Sequence, residues 1–276
     1  MPELPEVETS RRGIEPYLLN STITAINIRQ HKLRWPVPAN LPARAKGKTI
    51  LEVRRRAKYI YLKLNNGSSI IIHLGMSGSL RICTNKLPAD KHDHLDICVS
   101  SKQTGNNILR LRDPRKFGCV LWTDKDINQH KLIKPLGPEP LEDDFNAEYL
   151  HNKAHKRQCS IKALIMNSHI VAGVGNIYAN EALFKAGINP KRKAGNISLK
   201  RLQKLVDAIK LTLNESIRQG GTTLRDFTSE NGQPGYFAQK LLVYGKAGEN
   251  CSVCGQPIIQ FSQQQRSTYY CPHCQR

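Results

Sequence analysis

The sequence predicts an α+β protein in which an N-terminal helix and an antiparallel β-sandwich precede a helical domain and a zinc ribbon. Three patterns predict it: short alternating apolar runs between residues 21 and 123, helical spacing after residue 145, and two Cys-x2-Cys pairs after residue 250. A chain of 276 residues is long enough for two domains that each bury a core.

The first element is a helix whose apolar residues recur at helical spacing: Leu4, Val7, Ile14 and Leu18. The acids of the opening MPELPEVETSRRG have two interpretations. They complement a helix N-terminus, or they belong to a reactive terminus. Removal of the initiator methionine would expose Pro2 as a secondary amine, and such an amine forms a cationic iminium when it attacks a sugar aldehyde carbon. Glu3 is then the candidate general acid–base group beside it.

Short alternating runs follow this helix, among them KYIYLKL, SIIIHL, HLDICVS and ILRLR, and turn signals separate them. They predict an antiparallel sandwich or barrel within an N-terminal domain of residues 2–133. The stretch KPLGPEPLEDDF is rich in proline, glycine and acids, and it predicts an exposed linker at residues 134–145.

Helical patterns dominate the next predicted domain, residues 146–240. Its longest helix is expected to begin after Ser198 and to end at Gly220 and Gly221. The apolar residues that share its predicted buried face are Leu199, Leu202, Val206, Ile209, Leu213 and Ile217. Residues 241–276 are predicted to form the terminal zinc-binding hairpin.

The chain is strongly basic, because 42 lysines and arginines against 22 acids give a formal net charge of +20. A field of this sign favours a polyanion, most often nucleic acid. No membrane partner is expected, since no apolar run approaches the roughly 20 residues of a spanning helix and no signal peptide opens the chain. We therefore expect a cytoplasmic protein that binds nucleic acid.

The segment CSVCGQPIIQFSQQQRSTYYCPHC predicts one structural zinc ion held by four thiolates at the ends of a hairpin. The expected ligands are Cys251, Cys254, Cys271 and Cys274. His273 is a bystander, because the set of four cysteines is complete. The other cysteines lie singly along the chain, which is typical of a reducing compartment. Arg266 lies between the two pairs, where its guanidinium either binds a phosphate or is a solvated hairpin charge.

Four other stretches each have two interpretations. VAGVGNIYANE either turns backbone N–H groups and the Asn176 amide toward an anion or is an ordinary turn between helices. RLRDPRKFG carries Arg115, Lys116 and Phe117 on a turn that either enters a duplex or folds its ring into the core. HLGMSGS offers Met76, exposed or buried, in a similar turn. RRRAKY is either a phosphate track or a solvated strand face.

These motifs occur in one order over nearly the whole chain: MPELPEVETSRRG, HLGMSGSLR, DPRKFG, GVGNIYANE and the four terminal cysteines. Together they closely resemble the bacterial formamidopyrimidine-DNA glycosylase family. The resemblance implies a β-sandwich domain and a helical domain with a helix-two-turn-helix and a zinc finger, which clamp damaged double-stranded DNA. It also implies a monomer at the nucleoid that flips out an oxidised purine, such as 8-oxoguanine or a formamidopyrimidine, cuts its glycosidic bond and nicks the strand by β,δ-elimination.

Carried onto matching positions, the resemblance implies Pro2 as the Schiff-base nucleophile and Glu3 as the proton donor. Lys58 would serve β-elimination, and Arg266 would serve δ-elimination. The residues expected to contact DNA are His92, Arg115, Arg157 and Asn176. Those expected to fill the gap left by the flipped base are Met76, Arg115 and Phe117. The loop that closes over that base would be residues 220–236.

Three positions depart from the family pattern. Asn167 stands where relatives commonly carry an acid, Lys116 replaces a frequent arginine, and Arg157 replaces a frequent lysine. The last two keep the charge, so only the role at Asn167 is open.

Two alternative functions remain. One is an endonuclease VIII-like glycosylase for oxidised pyrimidines, which usually opens with Pro-Glu-Gly-Pro-Glu and lacks the DPRKFG tip. The other is a non-catalytic zinc-ribbon protein that only binds DNA.

Overall fold

The structure is a computed structural model that describes residues 2–83, 87–221 and 241–276. The chain divides into two compact units. The N-terminal unit comprises residues 2–134 with Gly220 and Gly221, and the C-terminal unit comprises residues 135–219 and the described residues from 241 onward. None of the helices in these described stretches has the length and apolar character that a membrane crossing requires.

The described N-terminal unit contains a long helix, a short helix and eight strands. In chain order they are α1 (Leu4–Leu18), β1 (Thr22–Ile28), α2 (Leu41–Ala45), β2 (Ile50–Arg56), β3 (Tyr59–Leu64), β4 (Ser69–His73), β5 (Ser79–Cys83), β6 (Asp93–Ser101), β7 (Gly105–Arg112) and β8 (Cys119–Thr123). The strands form two antiparallel four-stranded sheets, ordered β1-β6-β7-β5 and β2-β3-β4-β8. A 3-10 turn follows β8 at Ile127–Gln129.

One buried apolar cluster lies between these two sheets, and it confirms the predicted sandwich. Strand β3 shows the alternation, because Ile60, Leu62 and Leu64 are buried while the residues between them are not. Such alternation fixes the register, since a slip of one residue would turn the apolar set toward solvent. Helix α1 adds Val7 and Ile14 to the same cluster and packs against β2. The start of α1 is thereby placed against this sheet.

The described C-terminal unit contains four helices and a hairpin. They are α3 (Ala147–Ala154), α4 (Ile161–Ile165), α5 (Asn176–Lys185), α6 (Leu199–Arg218), β9 (Ile259–Gln263) and β10 (Arg266–Tyr270). A 3-10 turn at Ala194–Asn196 precedes α6. Helix α5 packs against both α6 and β10, so it connects the helical part of this unit to the hairpin.

Helix α6 confirms the predicted long helix and its end before Gly220. The predicted buried face of α6 is wrong at one residue, Leu199. It lies on the same side of the helix as Val206, but it is in the first turn and is 42% exposed. Ser198 occupies the N-cap position, yet its side chain makes no capping hydrogen bond. Of the predicted closing loop, only Gly220 and Gly221 are described, and residues 222–236 lie outside the described part of the chain.

Candidate active site and nucleic-acid interface

The first described residues are buried at the start of α1. Pro2 is buried and Glu3 is only 2% exposed. Glu3 is the N-cap residue: its backbone N–H donates to Glu6 Oε2 at 2.8 Å, and its carboxylate accepts the backbone N–H of Glu6. This capping box satisfies helix N–H groups and fixes Glu3 next to Pro2. The two interpretations of the acidic opening are therefore compatible.

Lys58 lies in the tight turn between β2 and β3, and this turn is tied to α1. Ala57 adopts a left-handed φ of 53°, and its carbonyl accepts a hydrogen bond from Arg55 Nη1 at 2.9 Å. Arg55 Nε donates to the Glu8 carboxylate on α1 at 3.2 Å. The path Glu8–Arg55–Ala57 therefore holds the Lys58 turn in a defined position relative to the helix that begins after Glu3.

Glu8 is the centre of an ionic cluster. It pairs with Arg11 at 3.0 Å, with Arg12 at 2.8 Å and with Arg55 at 3.2 Å. Burial alone would raise the pKa of Glu8, but the hydrogen bonds from Arg11 and Arg12 outweigh it and the pKa lies below its ordinary value. Arg55 is paired in this way and Arg54 pairs with Glu52, so two of the three arginines of RRRAKY have acidic partners, and the phosphate track stays a prediction.

His73, at the end of β4, links the Lys58 turn to the HLGMSGS turn. Its ring centre lies 4.8 Å from that of Tyr59, and its Nδ1 accepts the Gly75 backbone N–H at 3.0 Å. Burial, and then the positive charges of Lys58 and Arg34, lower the pKa of His73 from 6.5 to about 4. The ring is therefore neutral at neutral pH, as an accepting Nδ1 requires.

The turns HLGMSGS and DPRKFG interlock around the buried carboxylate of Asp113. Its Oδ1 accepts the Ser77 hydroxyl at 2.7 Å, and its Oδ2 accepts the Gly118 backbone N–H at 2.7 Å. The Ser77 hydroxyl oxygen also accepts the Arg115 backbone N–H at 3.1 Å. One carboxylate and one hydroxyl thus connect the two turns into a single tip.

This tip displays three side chains. Met76 is 36% exposed and Phe117 is 42% exposed, and the Arg115 guanidinium carbon lies 5.0 Å from the centre of the Phe117 ring. A Cβ on Gly75 would lie 2.3 Å from the Phe117 carbonyl carbon, so glycine is required where the turns meet. Neither Phe117 nor Met76 folds into the core. Exposed apolar side chains beside a cation have the composition of a wedge that unstacks base pairs.

His92 is partly exposed next to a buried ionic cluster at the start of β6. The neighbouring Asp93 carboxylate accepts hydrogen bonds from Arg81 Nη2 at 2.8 and 2.6 Å and from the Asp90 backbone N–H at 2.8 Å. The His92 carbonyl accepts the Asp113 backbone N–H at 3.0 Å. The His92 segment is thereby joined to the residue that organises the tip.

The polar side chains of GVGNIYANE hold the zinc ribbon in the C-terminal unit. Asn176 Nδ2 donates to the Ser267 carbonyl at 3.0 Å, and Asn180 Oδ1 accepts the Tyr269 N–H at 2.8 Å. The buried Glu181 carboxylate accepts three backbone N–H groups at 2.8 to 3.0 Å, those of Leu242, Val243 and Tyr244. The motif therefore has a structural role, and one amide hydrogen of Asn176 is engaged in it.

Arg157 and Arg266 line one cavity of about 480 Å³ within the C-terminal unit. Asn167 and Gln264 add amide groups to its wall, and Cys159 adds an exposed thiol. Within the described ranges, neither guanidinium forms an ion pair or hydrogen bond, and the lining contains no carboxylate. Two such cations suit a phosphate group. Asn167, the position whose role was open, thus lies in the wall of a positively charged cavity.

Four cysteines form the predicted metal site, and they are Cys251, Cys254, Cys271 and Cys274. Their Sγ atoms all lie within 4.8 Å of one another. The separations are 3.9 Å between Cys251 and Cys274 and 3.4 Å between Cys254 and Cys271. Tetrahedral zinc with bonds of about 2.3 Å separates its sulfur ligands by about 3.8 Å. The four thiolates therefore fit one structural zinc ion, and His273 is exposed and outside the ligand set.

Four charged residues organise these sites without having a role predicted from the sequence: Glu8, Asp113, Lys162 and Glu181. Three of them carried a signal, because Glu8, Asp113 and Glu181 are acids inside the motifs MPELPEVETSRRG, DPRKFG and GVGNIYANE. Lys162 carried none. The partners Arg55 of Glu8 and Ser267 of Lys162 lie 47 and 105 residues away along the chain. Only the folded chain brings these pairs together.

Three family models match the chain in order. They describe the formamidopyrimidine-DNA glycosylase N-terminal domain over residues 1–120, the H2TH domain of the same enzyme over residues 136–228, and a zinc finger found in FPG and IleRS over residues 248–276. The matches confirm the predicted fold class: a sandwich with its N-terminal helix, then a helix-two-turn-helix region, then a zinc finger.

Named relatives are similar over the full length. Formamidopyrimidine-DNA glycosylases of Marinobacter nauticus and Escherichia coli O7:K1 are 56% and 54% identical over 276 residues, covering 100% of each chain. A crystal structure of a Lactococcus lactis FPG mutant with Fapy-dG containing DNA matches with a TM-score of 0.91 at 33% identity, covering 100% of both chains. The MutM (FPG) protein of Thermus thermophilus matches with a TM-score of 0.87 at 34% identity, covering 99% of this chain and 98% of that one. The chain therefore belongs to the formamidopyrimidine-DNA glycosylase family and is a DNA glycosylase of base excision repair, in a family whose members also have AP lyase activity.

Proposed function

We propose that this chain removes oxidised purines, such as 8-oxoguanine and formamidopyrimidines, from double-stranded DNA and then nicks the strand by β,δ-elimination. The observation that carries the proposal is the buried start of α1, where a capping box holds Glu3 beside Pro2. A nucleophile next to a fixed proton donor is what covalent catalysis at a sugar carbon needs. Relatives solved with Fapy-dG and abasic-site DNA support the substrate class.

The first half of the proposed reaction forms a covalent protein–DNA intermediate. The neutral Pro2 amine of the mature chain attacks C1′, and the glycosidic bond breaks with its electrons leaving on the base. The departing base gains the proton that the Pro2 nitrogen loses. Glu3 then protonates O4′ as the sugar ring opens, which leaves a cationic iminium between Pro2 and C1′. This iminium is an electron sink for the next bonds to break.

Two eliminations complete the proposed reaction. Loss of the C2′ proton to the Glu3 carboxylate breaks the C3′–O3′ bond, and loss of the C4′ proton to a solvent base breaks the C5′–O5′ bond. Each departing phosphate carries negative charge, which Lys58 stabilises in the β step and Arg266 stabilises in the δ step. Water finally hydrolyses the remaining iminium and frees Pro2.

We assign DNA binding to four residues, His92, Arg115, Arg157 and Asn176. Two observations support this assignment: the Arg157 guanidinium has no partner among the described residues, and Arg115 is exposed. Met76, Arg115 and Phe117 fill the gap left by the flipped base, as their exposure at one tip suggests. Base extrusion costs a few kcal/mol, and phosphate contacts together with an inserted side chain offset that cost.

We further propose that the chain acts as a monomer in the cytoplasm, at the nucleoid, where a net charge of +20 favours association with DNA. In this assignment residues 2–133 form the catalytic domain and residues 134–145 the linker. Residues 146–240 form the helix-two-turn-helix domain, and residues 241–276 form the zinc finger.

Borohydride trapping tests the proposed nucleophile. Reduction of the iminium on a duplex that contains 8-oxoguanine should give a stable adduct whose mass maps to the N-terminal peptide. Lys58→Met is the matched control, because it removes the other candidate amine and should still form an adduct on that peptide. An adduct on Lys58 in the wild-type protein would contradict the assignment. No adduct with DNA binding intact would favour a protein that only binds DNA.

A comparison of substrates tests the proposed lesion class. Duplexes that carry 8-oxoguanine or thymine glycol at the same position are given to the protein under single-turnover conditions. We expect faster excision of 8-oxoguanine. A strong preference for thymine glycol would instead assign the chain the specificity of endonuclease VIII.

A further inference from the structure

Lys162 is a buried charged residue of α4 that the proposed chemistry does not use. Its side chain is 2% exposed and is among the largest fully buried side chains of the protein. Burial of an ammonium group is unfavourable unless its N–H groups are hydrogen-bonded. The partners of Lys162 therefore indicate what this charge stabilises.

The ammonium group of Lys162 binds the residues that directly follow Arg266. Thr268 Oγ1 accepts a hydrogen bond from Nζ at 2.7 Å, and the Ser267 carbonyl accepts one at 3.2 Å. The Thr268 hydroxyl in turn donates to the Arg266 carbonyl at 3.3 Å. Thr268 is 0% exposed, so its hydroxyl is shielded from bulk water. A path of hydrogen bonds, the one between Lys162 and Thr268 buried and the others part-buried, thus leads from Lys162 to the backbone of Arg266.

A second helix contributes to the same point. Asn176, the first residue of α5, donates to the Ser267 carbonyl at 3.0 Å. One carbonyl therefore receives an ammonium from α4 and an amide from α5. The Arg266 side chain is exposed at the cavity that it shares with Arg157. The Arg266 carbonyl is thus tied to Thr268, while its guanidinium has no ion-pair or hydrogen-bond partner in the part of the chain that the structure describes.

We propose that Lys162 is a positioning residue for Arg266, which it holds in place through Thr268 and Ser267 for the second elimination. The proposal rests on the function proposed above for Arg266. Its physical basis is that catalytic groups must be held in position: a displacement of about 1 Å can lower a rate by about 100-fold. Arginine has a long side chain, so its guanidinium keeps its position only if the backbone beneath it does not shift.

The test is the distribution of products on a duplex that contains an abasic site. Single-turnover reactions are resolved so that the product of β-elimination alone separates from that of β,δ-elimination. Lys162→Met replaces the ammonium by an apolar side chain of similar length. It should lower the rate of the δ step on the order of tenfold, with 8-oxoguanine excision and the borohydride adduct at Pro2 unchanged. Arg266→Gln should shift the products in the same direction.

Three further variants test whether the effect comes from misfolding or from a general loss of charge. Thr268→Val removes the hydroxyl at nearly constant volume and should lower the δ step, whereas Thr268→Ser keeps the hydroxyl and should restore it. Lys185→Met removes a lysine of the same unit that pairs with Glu215, and it should leave the product distribution unchanged. Zinc content and circular dichroism identify any variant that has lost its fold.

The outcomes separate this proposal from the one on which it rests. If Arg266→Gln blocks the δ step while Lys162→Met and Thr268→Val do not, the positioning role is wrong and the role of Arg266 stands. If Arg266→Gln leaves the products unchanged, the role of Arg266 is wrong and the inference fails with it. Equal losses in DNA binding, excision and both eliminations for Lys162→Met would show a structural role only.

Discussion

The Ser77 hydroxyl donates to the Asp113 carboxylate at 2.7 Å, and this bond joins the turns that carry Met76 and Phe117. Asp113 is 0% exposed and Ser77 is 5% exposed, so the bond is shielded from water. Separation of the two turns would leave a buried carboxylate without hydrogen-bond partners, which costs free energy. The two turns therefore stay together. The exposed side chains of the tip are thus held by a buried polar pair beneath them.

Asp113→Ala should disorder the tip. The change removes the acceptors of Ser77 and Gly118 and should lower the free energy of unfolding by about 2 to 3 kcal/mol. We expect excision of 8-oxoguanine from duplex DNA to fall at least about tenfold, whereas β-elimination at an abasic site in single-stranded DNA, where no base pair must be opened, should persist. Asp124→Ala, at an exposed aspartate that pairs with Arg44, is the control. Equal losses on both substrates would argue against a wedge.

Phe117→Ala should impair the wedge while leaving the stability of the fold nearly unchanged. Because the ring is 42% exposed, the free energy of unfolding should change by no more than about 0.5 kcal/mol. Opening of the duplex, followed by the fluorescence of 2-aminopurine next to the lesion, should be slowed. Trp35→Ala removes another exposed aromatic ring of the same unit, one that also lies near a lysine, and should leave the fluorescence signal unchanged. If both variants behave alike, Phe117 has no special role.

Titration of the His73 imidazole should make the free energy of unfolding depend on pH between about 6.5 and 4. In this window the unfolded chain protonates the imidazole, while the folded protein, in which burial lowers the pKa of His73 to about 4, does not. The unfolded state then binds more protons, so the free energy of unfolding falls as the pH falls, by up to about 3 kcal/mol for this group. His73→Asn keeps an acceptor for the Gly75 N–H but does not titrate. Denaturant titrations at pH 7 and pH 4.5 should show a smaller loss for His73→Asn than for the wild type, and the exposed His155→Asn should match the wild type.

The strands, the helices and the zinc ligands were predictable because each depends on residues that are close together in sequence. Alternation in KYIYLKL, helical spacing in α6 and two Cys-x2-Cys pairs are local patterns, and the structure contains all three. The exposure of Phe117 was not predictable in this way. It depends on Asp113 and on the close approach of Gly75, which belongs to a different turn.

Local sequence patterns also did not predict the long-range partners of the basic residues. RRRAKY predicts three similar charges, yet Arg55 is directed to Glu8 on α1, a pairing that only helix packing decides. Arg54 instead pairs with Glu52, two residues before it on the same strand. Lys162 lies in a segment without any motif, and its partners are in the hairpin. The family resemblance predicts which residues react, but it does not indicate which residues hold them in place.

Removal of zinc should affect only the C-terminal unit. Cys254→Ser, or chelation, removes the link between the two ends of the hairpin, and a hairpin of this size has no sufficient core without the metal. We expect weaker DNA binding with the strand signal of the sandwich retained in circular dichroism. Cys98→Ser changes a cysteine of the N-terminal unit and serves as the control. Unchanged affinity after proven metal loss would exclude a role of the ribbon in binding.

Asn167→Asp should weaken DNA binding by placing a carboxylate in the cavity of Arg157 and Arg266. The new charge would pair with a guanidinium that is otherwise available to phosphate. Each phosphate contact contributes about 0.9 to the slope of log K against log salt, so the loss of one contact should lower the slope by about one. Asn146→Asp adds the same charge to the same unit at the N-cap of α3, where aspartate also caps well, and the slope should stay the same. If both variants change the slope equally, the effect is one of net charge, and the cavity does not bind a phosphate.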